Sequence, residues 1–387
     1  MASSMDGFAC RSFAGASGTA EHYITIEAPD HLGLPQQLDA LAARYAEALQ
    51  TLNLSPDSAV FRRIYLSDAA NQASVAQRSS LFTEPFDSPV AVSMVQQAPL
   101  PHGKVALLAY HLGNAPGIRK EQVGPGQMLV HNGDLRHLWS TRLCAGTTAR
   151  IGDAAEQTRD VFARLTGTLG EHGGTLAENC VRTWIYVKDV DVFYQDMVDA
   201  RTALFNDHGL TRDTHYIAST GIEGACSHRY DVVLMDAYSV LGLKPEQVSY
   251  LNDFSRLNAT KDYNVTFERG TRVAYADRAH HFISGTASID AAGRVVHVGD
   301  VVRQLDRALE NVDALLGSGG AALADMTHLI VYLRDPSDQP RIEASLAERL
   351  PGVPRLVVRG AVCRPEWLVE VEGIAIAPHD APVLPRF

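Results

Sequence analysis

The chain has 387 residues, more than one core of ordinary size accommodates, so two or three structural units are expected. With 46% hydrophobic and 20% charged residues it has the composition of a soluble globular protein. Its net charge of −11 argues against a nucleic-acid or anionic-membrane partner, so an anionic small molecule must be met by a few individual arginines.

In chain order, the first segment predicts a strand at His22–Ile26 and a helix through Leu38, Leu41, Tyr45, Leu49 and Leu52. A strand at Arg63–Asp68, a second helix near Val75–Leu81 and a strand at Val105–Tyr110 follow. Residues 116–126, rich in glycine and proline, read as a linker. The second segment predicts a strand from Leu138 to Leu143, a helix with Val161, Phe162, Leu165 and Leu169, and a strand over Thr183–Asp189. A helix through Phe193, Met197, Ala200 and Leu204 and a strand at Val232–Tyr238 close it, and residues 241–260 read as a long polar connection. The third opens with a strand at His281–Ser288. His297 reads as a turn residue, and Asp300 as the cap of a helix carrying Leu305, Ala308, Leu309, Val312, Leu315 and Leu316, which Gly319-Gly320 ends. A strand at Leu329–Leu333, a shorter helix through Ile342, Leu346 and Leu350, and a strand ending at Gly373 complete it.

The same β-α-β-α-β order thus occurs three times, and IYLSD, IYVKD and VYLRD recur in one register, ending at Asp68, Asp189 and Asp335. A sheet covered by helices on one side must bury its other side against something. Three copies do that for one another, which predicts an α+β protein with three repeats packed around a pseudo-threefold axis.

Candidate chemistry concentrates near the end of the third copy. Glu370 and Glu372 alternate with Val369 and Val371, so both carboxylates share one strand face, either solvated or a site. Arg355, Arg182 and Arg269 are candidates for bidentate carboxylate binding; Arg182 can equally pair with Asp189. Cys363 as a nucleophile needs a lowered pKa, which Arg364 could supply, and it can instead simply shape a pocket. Tyr332 reads as packing.

Five scattered cysteines without a C-x-x-C fit a reducing compartment and weigh against structural zinc. No apolar run approaches the ~20 residues of a membrane span, and residues 1–20 lack signal-peptide features, so a cytoplasmic location is expected. The fifteen histidines show no ligand spacing, and there is no P-loop or dinucleotide fingerprint, so neither metal nor cofactor is expected.

The repeated unit resembles the Rid (YjgF) family, homotrimers of β-α-β-α-β subunits with sites at the clefts between neighbours. In that family an arginine that binds the substrate carboxylate lies fifteen residues before a strand glutamate, and Arg355 and Glu370 stand at that spacing. The first two repeats carry Ala106 and about Val233 in place of Glu370, so one working cleft is expected. The implied divisions are a degenerate Rid-like repeat at 1–127, a second at 128–250 and a third, with the site residues, at 251–387. Residues 178–377 are more closely similar to the chorismatases, single-chain relatives of the Rid fold. Arg182-Thr183-Trp184-Ile185-Tyr186-Val187, Thr220-Gly221-Ile222, the segments around Ser284-x-Thr286 and Val296-His297, and Leu368-Val369-Glu370-Val371-Glu372-Gly373 carry the likeness. It implies a catalytic Glu370 and, at Cys363, the cysteine that marks the subgroup making 3-hydroxybenzoate. Arg182, Arg269, Thr220, Gly221, Ser284 and Thr286 are then expected beside Arg355 at the substrate.

Three functions follow as expectations. A chorismatase-like hydrolase would remove pyruvate from chorismate or a related enolpyruvyl compound, leaving a hydroxybenzoate or a dihydroxycyclohexadiene carboxylate. A Rid-type enzyme would deaminate 2-imino or 2-enamino acids. A non-catalytic protein would bind a small carboxylate. The particle is expected to be a monomeric pseudo-trimer or a low-order oligomer.

Overall fold

The computed structural model describes residues 2–5, 7–83, 88–115, 117–146, 152–258 and 266–387. The first unit runs β1 (Ala2–Met5), β2 (Phe8–Ala14), β3 (Ala20–Glu27), α1 (Leu34–Thr51), β4 (Ala59–Leu66), α2 (Ala69–Ala76), β5 (Ala91–Gln96) and β6 (Val105–Gly113). The second runs β7 (Arg119–Gly124), β8 (Gln127–Asn132), β9 (Leu135–Cys144), α3 (Ala154–Glu171), α4 (Leu176–Asn179), β10 (Cys180–Val187), α5 (Val190–Asp207), β11 (Ala218–Glu223) and β12 (Val233–Leu241). The third comprises β13 (Val248–Tyr250), β14 (Gly270–Ala274), β15 (Arg278–Ala287), α6 (Val301–Ser318), β16 (Met326–Leu333), α7 (Gln339–Arg349), β17 (Arg355–Arg359) and β18 (Val369–Pro378). No helix among the described residues is long and apolar enough to cross a membrane.

Each unit forms a six-stranded sheet, and the three share one strand order: 1-2-3-6-4-5, 7-8-9-12-10-11 and 13-14-15-18-16-17. Helices cover one face. In the first unit Leu38, Leu41 and Leu49 of α1 pack on Ile24, Ile64 and Leu107 of the sheet. The opposite faces bury Tyr65, Tyr186 and Tyr332 together in a core shared by all three units. The ring closes strand on strand, with β5 against β9, β11 against β15 and β17 against β3. Each junction also holds a buried ion pair: Arg63–Asp236 at 3.0 Å, Arg182–Glu372 at 2.5 Å and Arg278–Glu21 at 2.7 Å. Such pairs add little net stability over apolar packing, but leaving one partner alone is costly, so they fix which surfaces meet.

The expected three-repeat α+β architecture is therefore present, with more strands than the apolar pattern reveals. The segment read as a linker contains β7, which pairs with β8, so the division expected at 127 falls inside a hairpin. Its glycines make a turn: Gly126 has φ +69°, and a Cβ there would lie 2.6 Å from the Thr141 carbonyl oxygen. Likewise β13 pairs with β14, so the third sheet begins just before residue 250. Pro116 and Thr260, at the ends of the two expected linkers, lie outside the described residues. The helix expected near Val75–Leu81 lies earlier, at Ala69–Ala76, because the Asp68 carboxylate accepts from the Asn71 amide at 3.2 Å and caps it. Asp335 caps a short turn in the same way, whereas Asp189 heads α5 with φ +52° and no side-chain cap. The His297 carbonyl accepts from the Asp300 amide at 3.0 Å, a turn role.

Candidate functional site

Where β11 of the second unit meets β15 of the third lies a cavity of about 390 Å³. Glu370 of β18 points into it. The second unit supplies Tyr194, Gln195, Val198 and Arg201 from α5 and Ser219, Thr220 and Gly221 from β11. The third supplies Arg269, Gly285, Cys363, Arg364 and Trp367 among others.

Neither strand carboxylate is solvated: Glu370 is 6% exposed and Glu372 is 2% exposed. Burial, then the nearby charge of Glu372, pushes Glu370 up to about 8 against the opposing pull of Arg182 and Arg269. It therefore enters neutral pH as a carboxylic acid, able to donate a proton into the cavity. Gly285 makes room for it, since a Cβ there would overlap Glu370 Oε1 and lie 3.1 Å from Thr220 Cγ2. The ladder between β15 and β18 shifts register between Ile283 and Thr286, at this glycine. Gly285→Ala is expected to lower stability by about 1–3 kcal/mol through overpacking, read by denaturant unfolding. A variant as stable as the parent would show that the carboxyl group does not rest on this backbone.

Three guanidinium groups stand in the walls. Arg201 is 1% exposed, donates from Nε to Thr266 Oγ1 at 3.1 Å, and has no hydrogen-bond partner for Nη2 among the described residues. Arg269 donates to Asn258 Oδ1 at 3.2 Å, and Arg364 lies over the Trp367 ring at 4.7 Å. Cys363 sits beside Glu370, with Tyr194 in hydrogen-bond contact, and burial pushes its thiol up to about 12. Arg364 does not offset that, so Cys363 is a protonated wall residue and not an activated nucleophile. Among the described residues no three histidine, cysteine, aspartate or glutamate side chains are grouped to hold a metal ion.

The family model described as Endoribonuclease L-PSP matches residues 266–377. The 3-aminoacrylate deaminase RutC of Acinetobacter baylyi is 33% identical over 96 residues, 24% of this chain and 76% of that protein. The chain belongs to the Rid superfamily. Its longer likeness is to the chorismatase side of that superfamily. It is 27% identical over 259 residues to a 3-hydroxybenzoate synthase of Streptomyces hygroscopicus, 60% of this chain and 73% of the relative. A chorismatase of the same organism is 27% identical over 246 residues, 59% and 69% of the two chains. The fold agrees with a chorismatase crystal structure at TM-score 0.62 and 17% identity, covering 97% of this chain and 99% of that one.

Arg355 lies elsewhere than its spacing from Glu370 predicts. It is not in the Glu370 cavity. Leu329 pairs with both Arg355 and Gly373, so Arg355 sits on edge strand β17, level with Gly373 and facing the junction of the third and first units. There it pairs with Glu343 and borders a second cavity with Thr25, Glu27 and Arg44. The reason is geometric: an edge strand reaches toward the next unit, whereas central β18 opens toward the previous one. In a ring of identical Rid subunits, one subunit's arginine and its neighbour's glutamate would share every cleft. In this chain the position of Arg355 is taken by Ser219 in the second unit, and that of Glu370 by Ala106 in the first. The second unit has Leu234 there, one residue along from the expected Val233.

Other expected residues divide between wall and frame. Thr220, Gly221 and Arg269 line the cavity. Arg182 lies behind it, donating to Thr220 Oγ1 at 2.6 Å and to Glu372, not to Asp189. The Ser284 hydroxyl donates to the Glu268 carbonyl at 2.6 Å and accepts from the Ser219 amide at 2.9 Å, and the Thr286 hydroxyl donates to the Ser284 carbonyl at 2.9 Å. Both are therefore framework, holding the Gly285 irregularity and the joint between units. Tyr332 also does more than pack, donating to Glu372 Oε1 at 2.8 Å. Arg201 was not anticipated, although a cation at position 201 shares the buried stripe of Met197, Val198 and Phe205 on α5, and that is a readable signal.

Proposed function

We propose that this cavity hydrolyses the enolpyruvyl ether of chorismate or a closely related compound. The observation that carries the reading is a buried carboxyl group facing a cavity with three arginines in its walls. Chorismate is a dianion, so two of its groups need cations, and Arg201 and Arg269 are suited to them. Glu370 donates its proton to the terminal carbon of the enol ether, leaving positive charge on the ether-bearing carbon. Water adds there and returns a proton to Glu370, and the resulting hemiketal breaks to pyruvate and a ring alcohol, its hydroxyl proton passing to the ether oxygen, which stays with the ring. The chorismatase and 3-hydroxybenzoate synthase relatives support the reading. The alternative deaminase reading has less support in this cleft, because Ser219 stands where the Rid carboxylate-binding arginine would be.

The test is incubation with chorismate, following pyruvate by coupled reduction and the ring product by chromatography. Pyruvate release is expected, and the ring product distinguishes a hydroxybenzoate from a dihydroxycyclohexadiene carboxylate. Ammonia from an amino-acid-derived imine with no pyruvate from chorismate would instead support deamination, and binding without turnover of either would support a carboxylate binder.

A further inference from the structure

β18 presents two buried carboxyl groups on one face, about 7 Å apart as alternate residues of a strand are, yet only one reaches the cavity. Glu372 is occupied on both oxygens. Its Oε2 accepts from Arg182 Nη2 at 2.5 Å and from the Thr220 hydroxyl, and its Oε1 accepts from the Tyr332 hydroxyl at 2.8 Å. Acceptance alone, with a guanidinium among the donors, is the bonding of an ionised carboxylate. The donors come from β10, β11 and β16, so the group is clamped by two units and cannot turn toward the cavity.

We propose that Glu372 is a positioning residue that holds Glu370 in its acid form: a second carboxylate, locked out of the cavity, whose fixed charge opposes ionisation of the first and whose bonds set the wall against which it rests. That wall runs through Thr220, whose Oγ1 also accepts from the Gly285 amide at 2.8 Å, and Gly285 is the backbone against which Glu370 lies. The other charged and titratable groups facing Glu370 are Arg182 from β10, Arg201 and Tyr194 from α5, Arg269 ahead of β14, and Cys363 and Arg364 ahead of β18. The arginines all favour the anion. Among the described residues Glu372 is the carboxylate that opposes them, and it acts on Glu370 more strongly than Arg182 does. Without it, burial alone would stand against the guanidiniums, and Glu370 would hold its proton over a narrower range of pH. The catalytic meaning of this role rests on the reading under Proposed function; the electrostatic role does not.

The experiment is the titration of Glu370 itself by carbon NMR of glutamate-labelled protein without substrate, the resonance assigned by its loss in E370Q. In E372Q the midpoint is expected to fall by about 1 pH unit or more, the size of effect a nearby like charge produces. The alkaline limb of kcat should fall with it. Tyr332→Phe, which removes a hydrogen bond but no charge, should leave the midpoint in place, whereas a merely structural role would move both alike. Should the lone buried Arg182 keep E372Q from folding, the neutral pair R182Q/E372Q replaces it and should still lower the midpoint, by less. An unmoved or raised midpoint overturns the proposal. A lowered midpoint in a protein that releases no pyruvate leaves Glu372's role standing and removes the proposed reaction; turnover with an unmoved midpoint does the reverse.

Discussion

Replacing Glu370 by glutamine is expected to lower kcat by about 10²- to 10⁴-fold while leaving substrate affinity within a few-fold of the parent. Glutamine keeps the size of the side chain and most of its hydrogen-bonding capacity, but has no proton to transfer. The loss should therefore appear in the chemical step, checked by steady-state kinetics together with a direct binding measurement. A second readout needs no substrate. Burial and the charge of Glu372 push Glu370 up to about 8 in the folded chain against an ordinary 4.5. Between those values the folded protein holds a proton that the unfolded chain has released, so this group's contribution to stability is complete below about pH 4.5 and is lost as pH rises toward 8. E370Q lacks that dependence. Relative to the parent, its stability should improve by a few kcal/mol across this window, measured by denaturant unfolding at a series of pH values. Full activity of E370Q would reject Glu370 as the acid, and parallel stability curves would reject its raised pKa.

The arginines carry the second large effect. Arg201→Ala or Arg269→Ala should each weaken binding by about 2–5 kcal/mol, the cost of removing one partner of a desolvated charge pair. The loss should appear mainly in KM if the contact is equal in ground and transition states. Arg355→Ala is the contrast, since Arg355 lies at another junction and its loss should leave turnover unchanged. If Arg355→Ala abolished activity while the other two variants kept theirs, the site would have to be sought at the junction of the third and first units.

The residues show why some of this was legible in the chain and some was not. The repeat was legible because IYLSD, IYVKD and VYLRD each begin on an inner strand of the sheet, where both faces are buried and the apolar run is long. The edge strand β7 was not, since an edge strand is partly exposed and β7 carries Arg119, Lys120 and Glu121 where a core strand would carry valines. Glu370 was legible from period-two alternation, because the period sets the face. What lies opposite that face depends on how the units are arranged in the ring, and no local pattern encodes that. Arg355 and Glu370 stand fifteen residues apart yet face different junctions for this reason. The partner of Arg182, Glu372, is likewise 190 residues away. The sequence around Cys363 and Arg364 fits either an activated thiol or a pocket wall, and only the structure shows that enclosure outweighs the one adjacent cation.

The two walls of the Glu370 cavity, α5 with β11 on one side and β15 with β18 on the other, belong to one polypeptide. A cleft assembled from separate subunits empties on dilution, because its parts diffuse away from each other. Here the tether holds the facing wall at an effective concentration set by chain length and not by the amount of protein present. Catalytic output per molecule need not decline in a dilute cell extract. The three junctions, freed from symmetry, can also change one at a time: a substitution in this chain alters one cleft, where in a ring of identical subunits it would alter all three.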